Sequence, residues 1–259
     1  MQDLKVTLIQ SDLHWENSLA NFAMFEEKIW QISEPSDLIV LPEMFTTGFS
    51  MKASALAEPM NYHATKWLKQ MSGQTKAVIT GSVIIKENNQ YYNRLFWVEP
   101  NGTISTYDKR HLFRMAGEDN VYQSGTAKMI KQIKGWNVCP LVCYDLRFPV
   151  WSRNRNNEYD LLLYVANWPE VRSYAWKTLL RARAIENIAY VVGVNRVGKD
   201  GNGHSYSGDS VVLDAKGGVI QEISGEEGII TVTLSKKELL EFRERFPANL
   251  DADSFSIES

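Results

Sequence analysis

A chain of 259 residues, 44% hydrophobic and 23% charged, has the balance of a soluble globule and the length to bury a core. A net charge of −3 and a pI near 5.9 exclude a nucleic-acid binder of the basic type. No run approaches the roughly 18 apolar residues of a membrane span. The opening residues, Met1-Gln2-Asp3-Leu4-Lys5, lead straight into a strand-like stretch and lack the regions of a signal peptide, so a cytoplasmic protein is expected.

Residues 4–10 alternate and predict a strand. Residues 17–32 predict a helix with Leu19, Phe22, Ala23, Phe25, Ile29 and Trp30 on its apolar positions. Residues 37–41 form a short apolar run bounded by Pro42, hence a strand. Residues 61–71 predict a second helix ending near Gly73, and 77–85 a strand. Residues 90–99 and 103–108 read as a hairpin around Pro100-Asn101-Gly102, and 128–133 with 136–142 as a further pair around Lys134-Gly135. A strand at 159–166, a long helix at 171–187 and a buried strand at 189–195 follow. Residues 209–213 and 219–223 pair around Lys216-Gly217-Gly218, and 228–234 is the last strand. Residues 235–246 are helical, with Ser235 as N-cap and Glu238 completing a capping box. The acidic tail, 247–259, is expected to be irregular or packed on a partner. With no linker, low-complexity tract or repeat, strands and helices alternating in both halves predict one α/β domain spanning 1–259, its core at about 4–246.

The two cysteines, Cys139 and Cys143, lie four residues apart. On one strand that is roughly 13 Å, too far for an intrachain disulfide. The four histidines form no zinc-like spacing with them, so no metal is expected. Glycine patterns give no phosphate loop, and no Gly-x-Ser-x-Gly elbow occurs; Gly201 to Tyr206 reads as a turn or loop.

Three strand ends carry chemistry. The apolar run 136–142 arrives at Cys143, then turns polar towards Pro149 and a helix start. A helix N-terminus aimed at a cysteine favours thiolate, although most cysteines simply pack. In Leu41-Pro42-Glu43-Met44-Phe45 a carboxylate follows an apolar strand and is a candidate general base, against the plainer reading of a solvent-facing loop. In Tyr107-Asp108-Lys109-Arg110-His111-Leu112-Phe113, Lys109 is a candidate oxyanion donor or a surface lysine after a hairpin. Glu118 alone is one of 31 acidic residues. If the three strands are parallel neighbours, their carboxyl ends converge on one crevice.

These blocks, in this order, resemble the nitrilase superfamily of carbon–nitrogen hydrolases and its Glu-Lys-Cys triad. Tyr164-Val165-Ala166-Asn167-Trp168-Pro169 resembles the family's loop beside the cysteine, and 181–187 its following helix; Asn195-Arg196-Val197-Gly198 is similar to the next strand end. Ser207-Gly208-Asp209-Ser210 departs from the family's usual Gly-His-Ser-like turn. The resemblance covers about 5–246. The wording Cys-Tyr-Asp-Leu-Arg-Phe-Pro and His-Leu-Phe is closest to the omega-amidase branch and its bacterial members.

The resemblance implies a four-layer α-β-β-α sandwich with mixed sheets and a homodimer or larger homo-oligomer joined through helices beside the cysteine. It implies hydrolysis of the terminal amide of short dicarboxylic monoamides, of the 2-oxoglutaramate and 2-oxosuccinamate type, through a cysteine thioester and with no cofactor. Glu43, Lys109 and Cys143 are the expected catalytic residues, with the Tyr144 N–H as a second oxyanion donor and Glu118 as an auxiliary carboxylate. Candidate pocket residues are Phe45, Arg114, Met115 and Trp168. Arg114 is a candidate partner for a substrate carboxylate; Arg147 is another, although the family favours a structural ion pair for it. The same triad would serve an N-carbamoyl amidase, an aliphatic amidase or a nitrilase, and a non-catalytic scaffold would keep only the fold. No nucleic-acid or membrane partner is expected.

Overall fold

A computed structural model of the chain describes residues 2–257. The first half runs β1 (Leu4–Gln10), α1 (Ser18–Trp30), β2 (Leu38–Val40), α2 (Ala53–Leu56), β3 (Glu58–Pro59), α3 (His63–Thr75), β4 (Val78–Glu87), β5 (Gln90–Val98) and β6 (Ile104–Asp108). The second half runs β7 (Lys131–Ile133), β8 (Trp136–Val142), α4 (Pro149–Ser152), β9 (Leu161–Val165), α5 (Ser173–Asn187) and β10 (Tyr190–Val194). It continues through β11 (Val197–Lys199), β12 (Ser205–Ser207), β13 (Ser210–Leu213), β14 (Val219–Ile223), β15 (Gly228–Leu234) and α6 (Lys236–Arg245).

The strands form two large mixed sheets. The first has the order β15-β1-β2-β4-β5-β6, with β3 paired to β4. Within it β1, β2 and β4 are parallel, while β5, β6 and β15 are antiparallel to their neighbours. The second has the order β14-β13-β10-β9-β8-β7, parallel at β8-β9-β10 and antiparallel outside.

Period two decides what each sheet presents to its neighbours. Along β1, Leu4, Val6 and Leu8 join a core that also holds Val138, Leu141, Leu163 and Val191 of the second sheet, so the sheets pack face to face. The alternate residues Ile9 and Ile39 instead meet Phe22, Phe25 and Ile29 of α1 and Trp67, Leu68 and Met71 of α3. On the far side, Trp176, Leu180 and Ala184 of α5 cover the second sheet. The layers are therefore helix, sheet, sheet, helix, the expected α-β-β-α sandwich. Strands buried on both faces read as unbroken apolar runs, as in Leu161–Val165.

Several local expectations shift. Asn17 caps α1 by accepting the Ala20 N–H. Leu19 and Trp30, placed on its apolar stripe by periodicity, are exposed; Trp30 lies about 100° around the helix from Ile29. α3 runs past Gly73 to Thr75, and Lys76 takes the left-handed stop instead. The Gly201–Tyr206 region is not only a loop, since β11 and β12 pair across it. Ser235 caps α6 through the Glu238 N–H. The tail packs on its own chain: Ile257 reaches the inter-sheet core and Arg155 lies over Phe255; residues 258–259 fall outside the described residues. Among the described residues no helix is long and apolar enough to cross a membrane.

Candidate active site

Glu43 lies three residues beyond β2, in a turn folded back onto β4. Its neighbours are held by Ser82, whose Oγ accepts the Met44 N–H at 2.8 Å and whose carbonyl accepts the Phe45 N–H at 3.1 Å. The approach is close enough to require Gly81: a Cβ there would sit 2.9 Å from Leu41 Cβ. Met44 adopts φ 42°, left-handed backbone that an unbranched residue tolerates only under restraint.

Lys109 follows β6 directly. Its N–H donates to the Asn93 carbonyl and its own carbonyl accepts the Gly125 N–H. Gly125 is pressed so tightly on this segment that a Cβ would lie 2.1 Å from the Asp108 carbonyl oxygen.

Cys143 begins a 3-10 turn, Cys143–Arg147, at the end of β8, with φ 44°. Asp145 ties that turn to the Lys109 segment. Its carboxylate accepts hydrogen bonds from Val142 N–H, Tyr107 OH and His111 N–H, and His111 Nδ1 lies 2.8 Å from it. His111 in turn stacks on Phe148 at 3.8 Å.

The three strands are not parallel neighbours. β2 and β6 point the same way in the first sheet but are separated by β4 and β5, and β8 belongs to the second sheet. Convergence occurs because the strand ends meet at one edge of the sandwich, across both sheets.

There the side chains form one buried cluster. The Lys109 ammonium donates to Glu43 Oε1 at 3.0 Å and to Glu118 at 2.9 and 3.0 Å. Asn93 Nδ2 bridges the same carboxylates, at 2.8 Å to Glu43 and 3.3 Å to Glu118. Glu118 also accepts the Phe113 N–H. The second Glu43 oxygen accepts the Asn167 N–H at 2.8 Å, and Asn167 Nδ2 donates to the Glu43 carbonyl. The Cys143 thiol hydrogen-bonds Glu43 and lies 3.9 Å from the Asn167 carbonyl oxygen. Glu43 and Glu118 are wholly buried, so every oxygen needs these donors.

The electrostatics correct one expectation. Burial and the Glu43 charge push the Cys143 thiol well above its ordinary pKa, Lys109 opposing only in part. The turn does not make a resting thiolate. Burial disfavours the Lys109 charge, but Glu118 and Glu43 more than offset this and raise its pKa, so it is an ammonium. Burial also raises Glu118, against the pull of Lys109. The resting site therefore holds a neutral thiol beside a carboxylate that can take its proton.

A cavity of about 610 Å³ opens above the cluster, lined at its inner end by Lys109, Cys143, Tyr144 and Asn167. Trp168, buried, and Met115, 83% exposed at the rim, both line it. Phe45 does not: it is fully buried between Phe22, Phe25 and Trp67 under the helices. Its neighbour Phe49 lines the wall instead, 5.2 Å from Lys109 Nζ. Arg114 also stands outside the cavity, exposed and paired with Asp119 at 2.9 Å. Arg147 makes no structural ion pair among the described residues; its guanidinium lies over Trp168 and lines the cavity. Among the described residues no three His, Cys, Asp or Glu side chains are grouped to hold a metal ion.

Residues 5–244 match the carbon-nitrogen hydrolase family model. The chain belongs to the carbon-nitrogen hydrolase family. It is 50% identical to the omega-amidase YafV of Yersinia enterocolitica over 99% of this chain and 100% of that protein. It is 32% identical to the 2-oxoglutaramate amidase of Bacillus subtilis (strain 168), over 93% of this chain and 95% of that one. Among solved structures, the CN-hydrolase superfamily protein XC1258 from Xanthomonas campestris, which carries an arsenic adduct in its active site, superposes with a TM-score of 0.98 at 45% identity over the full length of both chains. In this carbon-nitrogen hydrolase, sequence reading missed Asn93, which bridges the two carboxylates. Asn93 sits beside Arg94 in the more polar half of β5, ahead of the apolar run at 95–98, so no local pattern singled it out. Asn167 stood inside a recognised block with no role attached.

Proposed function

We propose that this carbon-nitrogen hydrolase is an omega-amidase, releasing ammonia from the terminal amide of short dicarboxylic monoamides. Full-length similarity to an omega-amidase and to a 2-oxoglutaramate amidase supports the substrate class. The observation that carries the mechanism is that one buried carboxylate, Glu43, contacts both the Cys143 thiol and the Lys109 ammonium beside the cavity.

Glu43 takes the thiol proton as sulfur attacks the amide carbon. Because the resting thiol is neutral, this transfer accompanies attack. The oxygen that gains charge is held by Lys109 and by the Tyr144 N–H at the start of the 3-10 turn, where leading amides lack partners within the turn. Glu43 then passes its proton to nitrogen, the C–N bond breaks, and ammonia leaves a thioester on Cys143. Water, losing a proton to Glu43, attacks the thioester; the acid departs and the thiol is restored. Glu118 holds Lys109 in place, and Asn93 orients both carboxylates by donating to each. We read the chain as one hydrolase domain, working in the cytoplasm as a homodimer or larger assembly.

Cys143→Ala should abolish turnover of 2-oxoglutaramate and succinamate while leaving the thermal transition in place. Ammonia release measured against glutamine, an aliphatic amide, an N-carbamoyl amino acid and a nitrile separates the substrate classes. Faster turnover of any of these than of the monoamides would overturn the omega-amidase reading.

A further inference from the structure

We propose that Trp15 sets the longest acyl chain the site accepts, by walling the catalytic cavity off from a second cavity beside it. The inference rests on the omega-amidase reading for the substrates that test it, and on the geometry around the indole for the wall itself.

The second cavity holds about 580 Å³ and is lined by Met24 and Lys28 of α1, Lys199 of β11 and Glu227 just before β15. Of the described residues that line either cavity, Trp15 alone lines both. Beside it the chain passes from one cavity to the other, since Lys199 lines the second and Asp200 the first. The indole and the backbone at 199–200 are therefore the partition. Without the ring, the catalytic cavity of about 610 Å³ would continue into its neighbour.

The backbone on each side of Trp15 is tied down. The buried Asn21 side chain accepts the His14 N–H at 2.9 Å and donates to the His14 carbonyl at 2.8 Å. The Glu16 N–H donates to the Thr47 carbonyl at 2.8 Å, which joins this loop to the turn that carries Glu43. The indole itself fits between two glycines from other segments. A Cβ on Gly48 would lie 3.0 Å from Trp15 Cε3, and one on Gly201 2.2 Å from Nε1, so only glycine permits this approach. The hairpin of β11 and β12 that presents Gly201 is anchored in turn to the segment after β1. The Val197 N–H donates to the Ser11 carbonyl at 3.1 Å, and Arg196 pairs with Asp12 at 2.7 Å. A large flat ring packed on two sides, on a backbone held before and after it, has no room to swing aside. Such a wall turns added chain length into a steric cost, and one methylene in a fitted pocket is worth roughly 10- to 200-fold in discrimination.

The test uses a homologous series of monoamides: succinamate, glutaramate, adipamate and suberamate. For the native protein kcat/KM should fall towards the long end; equal rates along the series would overturn the proposal. Trp15→Ala joins the cavities and should raise the suberamate-to-succinamate ratio of kcat/KM by about tenfold or more, with the gain sitting in KM. Trp15→Phe keeps a ring in the slot and should stay close to the native ratio. A merely structural role for Trp15 would lower all four rates together and leave the ratio where it was. Trp15→Leu, a smaller change in packing, carries the same expectation in lesser measure if Trp15→Ala does not fold. A readout free of turnover is protection of Cys143 from iodoacetamide by suberate, which should need about tenfold less suberate in Trp15→Ala than in the native protein. An unmoved ratio and unmoved protection in the folded variant would overturn the partition while leaving the omega-amidase reading intact. Native protein inactive on all four monoamides, with Trp15→Ala shifting preference from butyramide towards octanamide, would overturn the omega-amidase reading and keep the partition.

Discussion

At the scale of single residues, the site depends on charges that check one another. Lys109 faces the two acids Glu43 and Glu118, and burial raises the Glu118 pKa against the pull of Lys109. A thiolate there would place a negative charge beside Glu43 in a buried setting, which is why burial together with Glu43 raises the Cys143 pKa. This yields an opposed pair of outcomes for Glu43→Gln. Turnover should fall by about 10³-fold or more, because the base is gone. The thiol should nevertheless ionise more easily, because the Glu43 charge and its hydrogen bond to the thiol are gone while Lys109 remains. Titration of thiolate absorbance should show the Cys143 midpoint moving down by about one pH unit or more. Cys139, pushed up to about 12 by burial, remains silent in the same experiment. An unmoved or higher midpoint would contradict the assignment of Glu43 as the group restraining the thiol.

Among elements, the departure at Ser207-Gly208-Asp209-Ser210 acquires a physical role. Asp209 accepts hydrogen bonds from Ser173 at the start of α5, from Ser207 in β12 and from Ser224 just after β14, each at 2.6 Å, and pairs with Lys177 at 2.7 Å. Its backbone carbonyl accepts the Trp176 Nε1–H. One carboxylate therefore pins α5 to two strand ends. Burial alone would raise the Asp209 pKa, but its hydrogen bonds to Lys177 and the three serines override this and lower it. A carboxylate with a folded pKa below the unfolded value near 3.9 adds stability above about pH 4, and loses it as pH falls through the folded value. Asp209→Asn should cost about 2–3 kcal/mol in urea unfolding at pH 7. That difference should shrink progressively as pH drops below about 4. A deficit that stays constant down to pH 2 would mean that the charge contributes nothing.

For the whole molecule, the proposed catalytic edge is where two sheets end together, and the helices beside Cys143 carry exposed apolar residues. Val150 of α4 is 55% exposed, and Tyr174 and Ile185 of α5 are 85% and 52% exposed. Such residues are commonly covered in an assembly. The proposed dimer through these helices predicts a dimer or larger species in sedimentation velocity, and Val150→Asp should raise its dissociation constant by about tenfold or more. A monomeric native protein at micromolar concentration would refute the association.

The sequence by itself determined the order and kind of nearly all elements, because strands buried on both faces must be continuously apolar and helices must carry a stripe. It also singled out the three residues proposed to carry the chemistry, since Glu43, Lys109 and Cys143 each stand just past the end of a strand. Their meeting was decided only in three dimensions: β2, β6 and β8 are far apart in sequence and lie in two sheets, so no local pattern encodes their common edge. The same holds for pocket and core. Phe45 and Phe49 are the same residue type four positions apart, yet one packs under the helices and the other lines the cavity, because the turn around Glu43 directs their side chains to different places. Arg114, Arg147 and Arg172 likewise carry one charge each, and it was the placement of Asp119, Trp168 and Phe113 that sent one to solvent and two to the cavity wall.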